Sequence, residues 1–267
     1  MFQYLHLVSN SSISLPTDIW FPSTKRLKPQ KGDQISAGAV KVFKKQNVSI
    51  TTEFYYKWLK NQVEYREGTQ VFFNPELEKE FVFGKGWSYG GEFLIEKQEG
   101  KLTGWISYTL SWSKRQFEDL NFGKPYFAKF DRRHNLNLVG IYSVSKRISL
   151  SGTFVLNSGN PYSLPVGRYT IFDPATQNFT VVPVFPERNS LRMPLYHRLD
   201  LGLIWKFKPK WGESDLTFSV YNALNRRNPY LIYFEQINDS NGNPTKFEAR
   251  QISLFPIIPA ITFNFKF

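Results

Sequence analysis

The stretch AITFNFKF, residues 260–267, places Ile261, Phe263, Phe265 and Phe267 at every second position, with Thr262, Asn264 and Lys266 between them. Successive side chains of a β-strand point to opposite faces. One face of this segment is therefore oily and the other wet, the mark of a strand lying between two different solvents. The pattern recurs upstream. In 47–58, NVSITTEFYYKW, the residues Val48, Ile50, Phe54, Tyr56 and Trp58 oppose Ser49, Thr51, Glu53 and Lys57. In 102–112, Leu102, Ile106, Tyr108, Leu110 and Trp112 oppose Thr103, Ser107, Thr109 and Ser111. Further along, Leu199, Leu201, Leu203, Trp205 and Phe207 oppose Arg198, Asp200 and Lys206.

Working outward, segments 3–12, 33–44, 86–98, 131–145, 148–157, 214–234 and 246–267 also read as strands, which makes about ten. No stretch sustains a helical period. The connections sort into two kinds. Lys44–Asn47, Gln98–Gly100, Ser145–Arg147 and Pro209–Ser214 are short, whereas 13–32, 60–85, 115–130, 158–195 and 235–245 are long. Short turns alternating with long loops are how bacterial transmembrane barrels are built, the turns periplasmic and the loops extracellular. Most prolines fall in the long segments, where no ladder donor is lost. Pro256 and Pro259 fit if only Ala260–Phe267 crosses the hydrocarbon. An even strand number would put both chain ends on the periplasmic side.

Composition agrees. Aromatic residues make up 17% of the chain, yet 21% is charged and mean hydropathy is −0.38. No run of about 18 apolar residues is present, so helical spans are excluded. In lipid every backbone polar group needs a partner within the protein, which leaves closed barrels. The expected fold is an all-β, antiparallel transmembrane barrel segment of about ten meandering strands. Tyr55, Tyr56, Trp58, Trp87, Tyr89, Trp105, Trp112, Tyr142 and Trp205 are expected in interfacial aromatic girdles.

There is no cysteine, so thiolate chemistry and disulfides are excluded. His6, His134 and His197 are far apart, lack carboxylates at metal spacing and read as structural. No nucleophile elbow or phosphate loop accompanies the Ser, His and Asp residues, and no cofactor is implied. The net charge of +12 invites a nucleic-acid reading. The basic residues do not gather on one predicted face, so no nucleic-acid partner is expected. Lys25, Arg26, Lys28, Lys31, Arg132 and Arg133 sit in or beside outer loops, where anionic headgroups could meet them. Lys44, Lys45, Lys146 and Arg147 serve turn solubility. MFQYLHLVSN lacks the features of a signal peptide, which predicts an incomplete or processed chain.

The segment 214–229, SDLTFSVYNALNRRNP, and the ending ISLFPIIPAITFNFKF closely resemble the last hairpin of TonB-dependent outer-membrane receptors. FDRRHNLNLVGIYSVSKRISLSGTFVLNSGNPYSLP, 130–165, and LPTDIWFPSTKRLKPQKGDQ, 15–34, resemble the group with an N-terminal carboxypeptidase-like regulatory domain. The resemblance implies that residues 1–267 are the C-terminal part of such a barrel, without its plug domain and earlier strands. It implies a bacterial outer-membrane receptor fragment for uptake of a siderophore, vitamin, glycan or peptide, inactive alone and not an enzyme. The implied partners are outer-membrane lipid and lipopolysaccharide, the barrel-assembly machinery, a small nutrient ligand and, through the missing plug, the TonB system. Ile261, Phe263, Phe265 and Phe267 resemble the barrel-assembly signal. Trp20, Tyr126, Tyr162 and Tyr169 are expected substrate contacts, and Glu53, Glu92, Glu96 and Asp200 are expected to face the lumen. The alternative is a self-contained ten-strand barrel: a porin, or an enzyme that would rely on Asp200 or His197.

Overall fold

The computed structural model describes residues 1–9, 18–67, 69, 74–173, 178–184, 187–209, 212–238 and 244–266. Among these, the long strands are β1 (Gln30–Phe43), β2 (Val48–Tyr65), β3 (Phe81–Lys97), β4 (Leu102–Phe117), β5 (His134–Ser143), β6 (Ile148–Asn157), β7 (Tyr196–Phe207), β8 (Glu213–Tyr221) and β9 (Ile258–Lys266). They follow one another in a single antiparallel meander from β1 to β9. The sheet is not closed: β1 and β9 are its two long edges. Among the described residues no helix is long and apolar enough to cross a membrane.

Register settles which residues share a face, because directly paired residues of antiparallel strands point the same way. One row runs Ile35, Tyr56, Tyr89, Trp112. Another runs Ile95, Ile106, Leu138, Phe154, Leu199, and a third Leu102, Tyr142, Leu150, Leu203, Phe218, Ile261. These rows form a continuous oily face whose side chains are largely uncovered by protein: Ile106 is 46% exposed and Ile261 69%. The opposite face carries Glu53, Glu92, Thr109, Asn135, Asn157 and Tyr196 in one row. Apolar side chains turned outward with a polar interior is the inversion that lipid imposes. From Val48 to Trp58, at ~3.3 Å per residue and a tilt near 45°, β2 rises about 23 Å, close to the ~25 Å apolar band of such barrels.

Four expectations are corrected. The segment 3–12 is not a crossing strand: Phe2–Gln3 adds two residues to the edge of β1, and Leu5–Ser9 turns to pair with Asp18–Pro22. The crossings therefore start at the loop end in β1 and finish at the turn end in β9, so the chain ends do not share a side. Segments 214–234 and 246–267 are each broken. Asn222 and Asn225 adopt positive φ of 53° and 47° after β8, and Leu231–Asn238 and Pro244–Ile252 form a separate hairpin. Finally, Tyr55 and Trp105 lie on the wet face, paired with Ser36 and Gly90 and with Glu96. The other expected girdle residues lie on the oily face; these two are aromatic but of the wrong parity.

Among the described residues the buried hydrophobic clusters sit at the loop end. Val8, Leu27, Val63, Tyr65, Leu77 and Phe81 form one, with Ile19 and Phe21 packed against it. Val82, Phe117, Leu120 and Tyr126 form the second. β2 reaches the first through a bulge after Leu59, where Asn61 takes φ 56° and its side-chain amide donates to the Pro29 carbonyl at 2.9 Å. The extra residue re-aims Val63 and Tyr65.

Candidate ligand-facing site at the loop end

Glu64, near the end of β2, is almost fully buried and accepts from Arg115 of β4 at 3.1 Å and from Arg188 at 2.6 Å. Arg188 comes from the long β6–β7 connection. Its backbone N–H donates to Asn121 Oδ1 at 2.8 Å, and its guanidinium lies 5.5 Å from the Tyr126 ring. Burial opposes the charge on Arg188, but Glu64, Tyr126 and Glu67 together outweigh it and raise its pKa. Burial, reinforced by Glu64, pushes the Tyr126 hydroxyl far above the phenol range. Both groups keep one protonation state at any ordinary pH.

Beside this cluster, the carboxylate of Asp131 is fully enclosed. It accepts from the Ser113 backbone N–H at 2.5 Å and from Arg192, with Arg133 at 3.8 Å. Arg192 also donates to the carbonyl oxygens of Asp131 and Gly159. Gly159 is required here, because a Cβ on it would stand 1.7 Å from the Met193 carbonyl oxygen. These ties fold the β6–β7 connection back over the rim.

A third polar group lies on the wet face of β7 and β8. The Arg198 guanidinium is 4.3 Å from the Tyr221 ring and donates to Asp200 at 2.9 Å, Tyr221 Oη at 2.9 Å and Tyr196 Oη at 3.2 Å. Asp200 in turn accepts the Asn222 backbone N–H at 2.9 Å. Tyr196, Arg198, Tyr221, Asn228, Tyr230 and Phe255 are among the residues around a cavity of about 240 Å³. With both hydroxyls accepting from Arg198, their own protons are free to donate. The cavity thus offers phenol donors over an aromatic floor, a setting for neutral oxygen acceptors.

Sequence reasoning placed Glu53, Glu92, Glu96 and Asp200 on the wet face, and register agrees; Glu53 stands directly opposite Glu92. The four expected contacts stand on four separate pairings: Trp20 in 18–22, Tyr126 beside β4, Tyr162 in the 161–162 pair and Tyr169 in 167–173. Trp20 and Tyr169 are about half exposed, Tyr162 is partly covered, and Tyr126 is only 4% exposed. Glu64, Asp131, Arg188 and Arg192 were missed, since the Glu64–Arg115, Asp131–Arg192 and Glu64–Arg188 pairs join residues 51, 61 and 124 apart and leave no local signal. Phe267 lies outside the described residues. The histidines are separate: His6 bonds Ser23 at 2.8 Å, His134 bonds Tyr108 at 2.8 Å, and the His197 backbone is clasped by Asn228. Among the described residues no group of His, Asp and Glu could hold a metal.

An antiparallel wall with lipid on one side, polar groups on the other and a loop end tied by buried ion pairs defines an outer-membrane β-barrel protein. Residues 8–223 match the family described as TonB dependent receptor-like, beta-barrel, and the chain belongs to that family of the bacterial outer membrane. No curated protein matches the chain. Among solved structures, the ferric-catecholate import receptor Fiu from Escherichia coli K12 is similar at TM-score 0.54 and 16% identity, over 91% of this chain and 29% of that one. The pyoverdine outer-membrane receptor FpvA from Pseudomonas aeruginosa PAO1, bound to pyoverdine, matches at TM-score 0.54 and 13% identity, over 92% and 31%. The chain spans about three tenths of the length of these structures.

Proposed function

We propose that residues 1–267 form the C-terminal part of a receptor that takes up a nutrient across the outer membrane. The plug and the earlier strands would be supplied by polypeptide outside this sequence. The observation that carries this reading is the pair of long edges. Among the described residues, β1 beyond Gly32 and the whole of β9 pair on one side only. Each unpaired backbone group in hydrocarbon costs several kcal/mol, so the arc needs further strands to complete it. We assign the chain to the group with an N-terminal carboxypeptidase-like domain on the segments 15–34 and 130–165. The ligand, a siderophore, vitamin, glycan or peptide, would meet the loop-end residues and the cavity between Arg198 and Phe255. The TonB system would act through the plug, and the barrel-assembly machinery would read the terminal aromatic residues. The catalytic alternative is disfavoured because Asp200 is engaged by Arg198 and Asn222, and His197 contributes only its backbone to the bonds above.

The test is a deletion in the host, with energy-dependent uptake measured for labelled iron chelates, cobalamin, oligosaccharides and peptides. Uptake of one class should be lost, restored by the frame with its upstream coding sequence and not by residues 1–267 alone. Restoration by residues 1–267, or a heat-modifiable closed barrel formed by them, overturns the reading of the chain as part of a larger barrel.

A further inference from the structure

The cavity between the wet face of β7 and β8 and the segments 228–230 and 254–255 is lined by polar groups whose capacity is largely spent. Among the described residues Arg198 is the one charged side chain that lines it, and no carboxylate does. Both working edges of the guanidinium are taken. Its Nε and Nη2 each lie 2.9 Å from Asp200 Oδ2, and its Nη1 donates to the Tyr196 and Tyr221 hydroxyls. Asp200 balances the charge, and its other oxygen accepts from the Asn222 backbone N–H at 2.9 Å. The Asn228 amide is spent as well: its oxygen accepts the His197 N–H at 3.1 Å and its nitrogen donates to the His197 carbonyl at 2.9 Å.

Two phenol protons remain. Each hydroxyl accepts from a cation, which polarises its O–H and strengthens it as a donor. Two exposed rings line the same cavity: Phe255 is 59% exposed and Tyr230 48%. Phe255 meets Tyr221 with ring centroids 6.2 Å apart and planes at 85°. The volume of about 240 Å³ lies below the roughly 300–1,000 Å³ of pockets that enclose a drug-sized ligand. It admits one ring-sized unit and not a whole iron chelate or cobalamin. An anionic unit, such as a catecholate or a peptide carboxylate, would have to part Arg198 from Asp200 and leave that carboxylate without its cation. A cationic unit meets no free carboxylate. The ligand that suits the cavity is neutral, with oxygens along its edge and an apolar face. A pyranose has that build, hydroxyls round the rim and C–H groups that rest on the negative face of an aromatic ring.

We infer that this cavity holds one neutral pyranose unit of a glycan. The sugar oxygens accept from Tyr196 and Tyr221, and the C–H face rests on Phe255 and Tyr230. The inference rests on reading the chain as part of an uptake receptor, and it names that receptor's substrate class as a neutral oligosaccharide.

The test uses the complete receptor, encoded with its upstream sequence and extracted from outer membranes, as wild type and as the variants Y196F/Y221F and F255A. Binding is read on an array of neutral hexasaccharides of glucose, xylose, mannose and galactose. Wild type should bind at least one of them with an affinity that holds between about 0.05 and 0.5 M salt, since screening acts on charge. Losing both phenol donors should weaken that binding about 30-fold, or ~2 kcal/mol, and losing the Phe255 ring should weaken it severalfold. Heat-modifiable mobility should match wild type in both variants. The inference is overturned if no hexasaccharide binds, or if either variant with wild-type mobility binds as tightly as wild type. A fall in affinity with salt also overturns it, and assigns a charged ligand. Uptake by cells separates the failures. Energy-dependent uptake of an iron chelate, cobalamin or a peptide leaves the receptor standing with another cargo, and uptake of no class removes the receptor reading too.

Discussion

Arg188 reaches 124 residues back along the chain to bridge Glu64 at 2.6 Å, and both side chains are more than nine-tenths covered. This contact joins the longest connection to the end of β2 and sets how the outer rim is closed. Breaking a buried pair from one side leaves an uncompensated charge, typically costing about 3–5 kcal/mol. Arg115 still faces Glu64 at 3.1 Å, so Arg188→Met is expected at the low end of that range. Limited proteolysis should then cut within 158–195 in the variant under conditions that leave wild type whole. An unchanged digest would show that the pair does not hold the connection.

The neutral Tyr126 hydroxyl gives a pH dependence with a defined sign. Burial raises its pKa, Glu64 adds to the rise, and Arg188 pulls it back without cancelling it. A group whose folded pKa lies above its unfolded value contributes stability that is complete below the unfolded value, about 10 for tyrosine. That contribution is lost as pH climbs beyond it toward the folded pKa. Urea resistance of the rim should therefore fall above about pH 10, and Tyr126→Phe should flatten part of that fall. Phenolate absorbance of folded wild type and folded variant should be equal at a given alkaline pH, because a shielded Tyr126 does not ionise. One phenolate more in folded wild type would exclude a shielded Tyr126.

The crossings and their two faces were legible in the sequence because lipid and water write a period of two directly into residue type. Ile261, Phe263 and Phe265 against Thr262 and Asn264 could be assigned without coordinates, and β9 pairs accordingly with β8. The same reading went astray where a second rule intervened. Tyr55 and Trp105 have girdle chemistry but wet parity, so position overrules residue type. The alternation in 5–9 is real, yet its partner is the short segment 18–22 and not a neighbouring crossing. The breaks at Asn222 and Asn225 had a visible cue in NALNRRNP, whose asparagines tolerate the left-handed backbone. The rim network had no cue, because Glu64, Asp131, Arg188 and Arg192 meet only through tertiary folding.

Adjacent residues on opposite faces give a sharp test of the wall. Ile106 shares a row with Ile95 and Leu138, while Ser107 pairs with Leu94 and Asn137. Ile106 lies near the middle of the crossing, where an arginine facing lipid costs about 2–4 kcal/mol. Ile106→Arg should lower the urea midpoint of the vesicle-inserted receptor by a corresponding amount, whereas Ser107→Arg should stay within experimental scatter. Equal penalties would mean that both faces are dry, as in two stacked sheets.

The terminal apolar residues Ile261, Phe263 and Phe265 are half exposed or more on β9, which among the described residues pairs with β8 alone. Their ring contacts include Phe207 with Phe263 at 6.2 Å and Phe263 with Phe265 at 6.0 Å, yet half or more of each side chain stays uncovered. Such lipid-exposed rings add little to the stability of a wall already inserted, so a role in reaching the membrane should separate from a role in staying there. Replacing Phe265 and Phe267 by leucine keeps the apolar face and removes the rings. The variant is expected to accumulate severalfold less in the outer membrane on cell fractionation, while the fraction that arrives keeps the heat-modifiable mobility and urea midpoint of wild type. Normal outer-membrane levels would remove the assembly-signal reading of these residues, and a lowered midpoint at normal levels would make them packing groups instead.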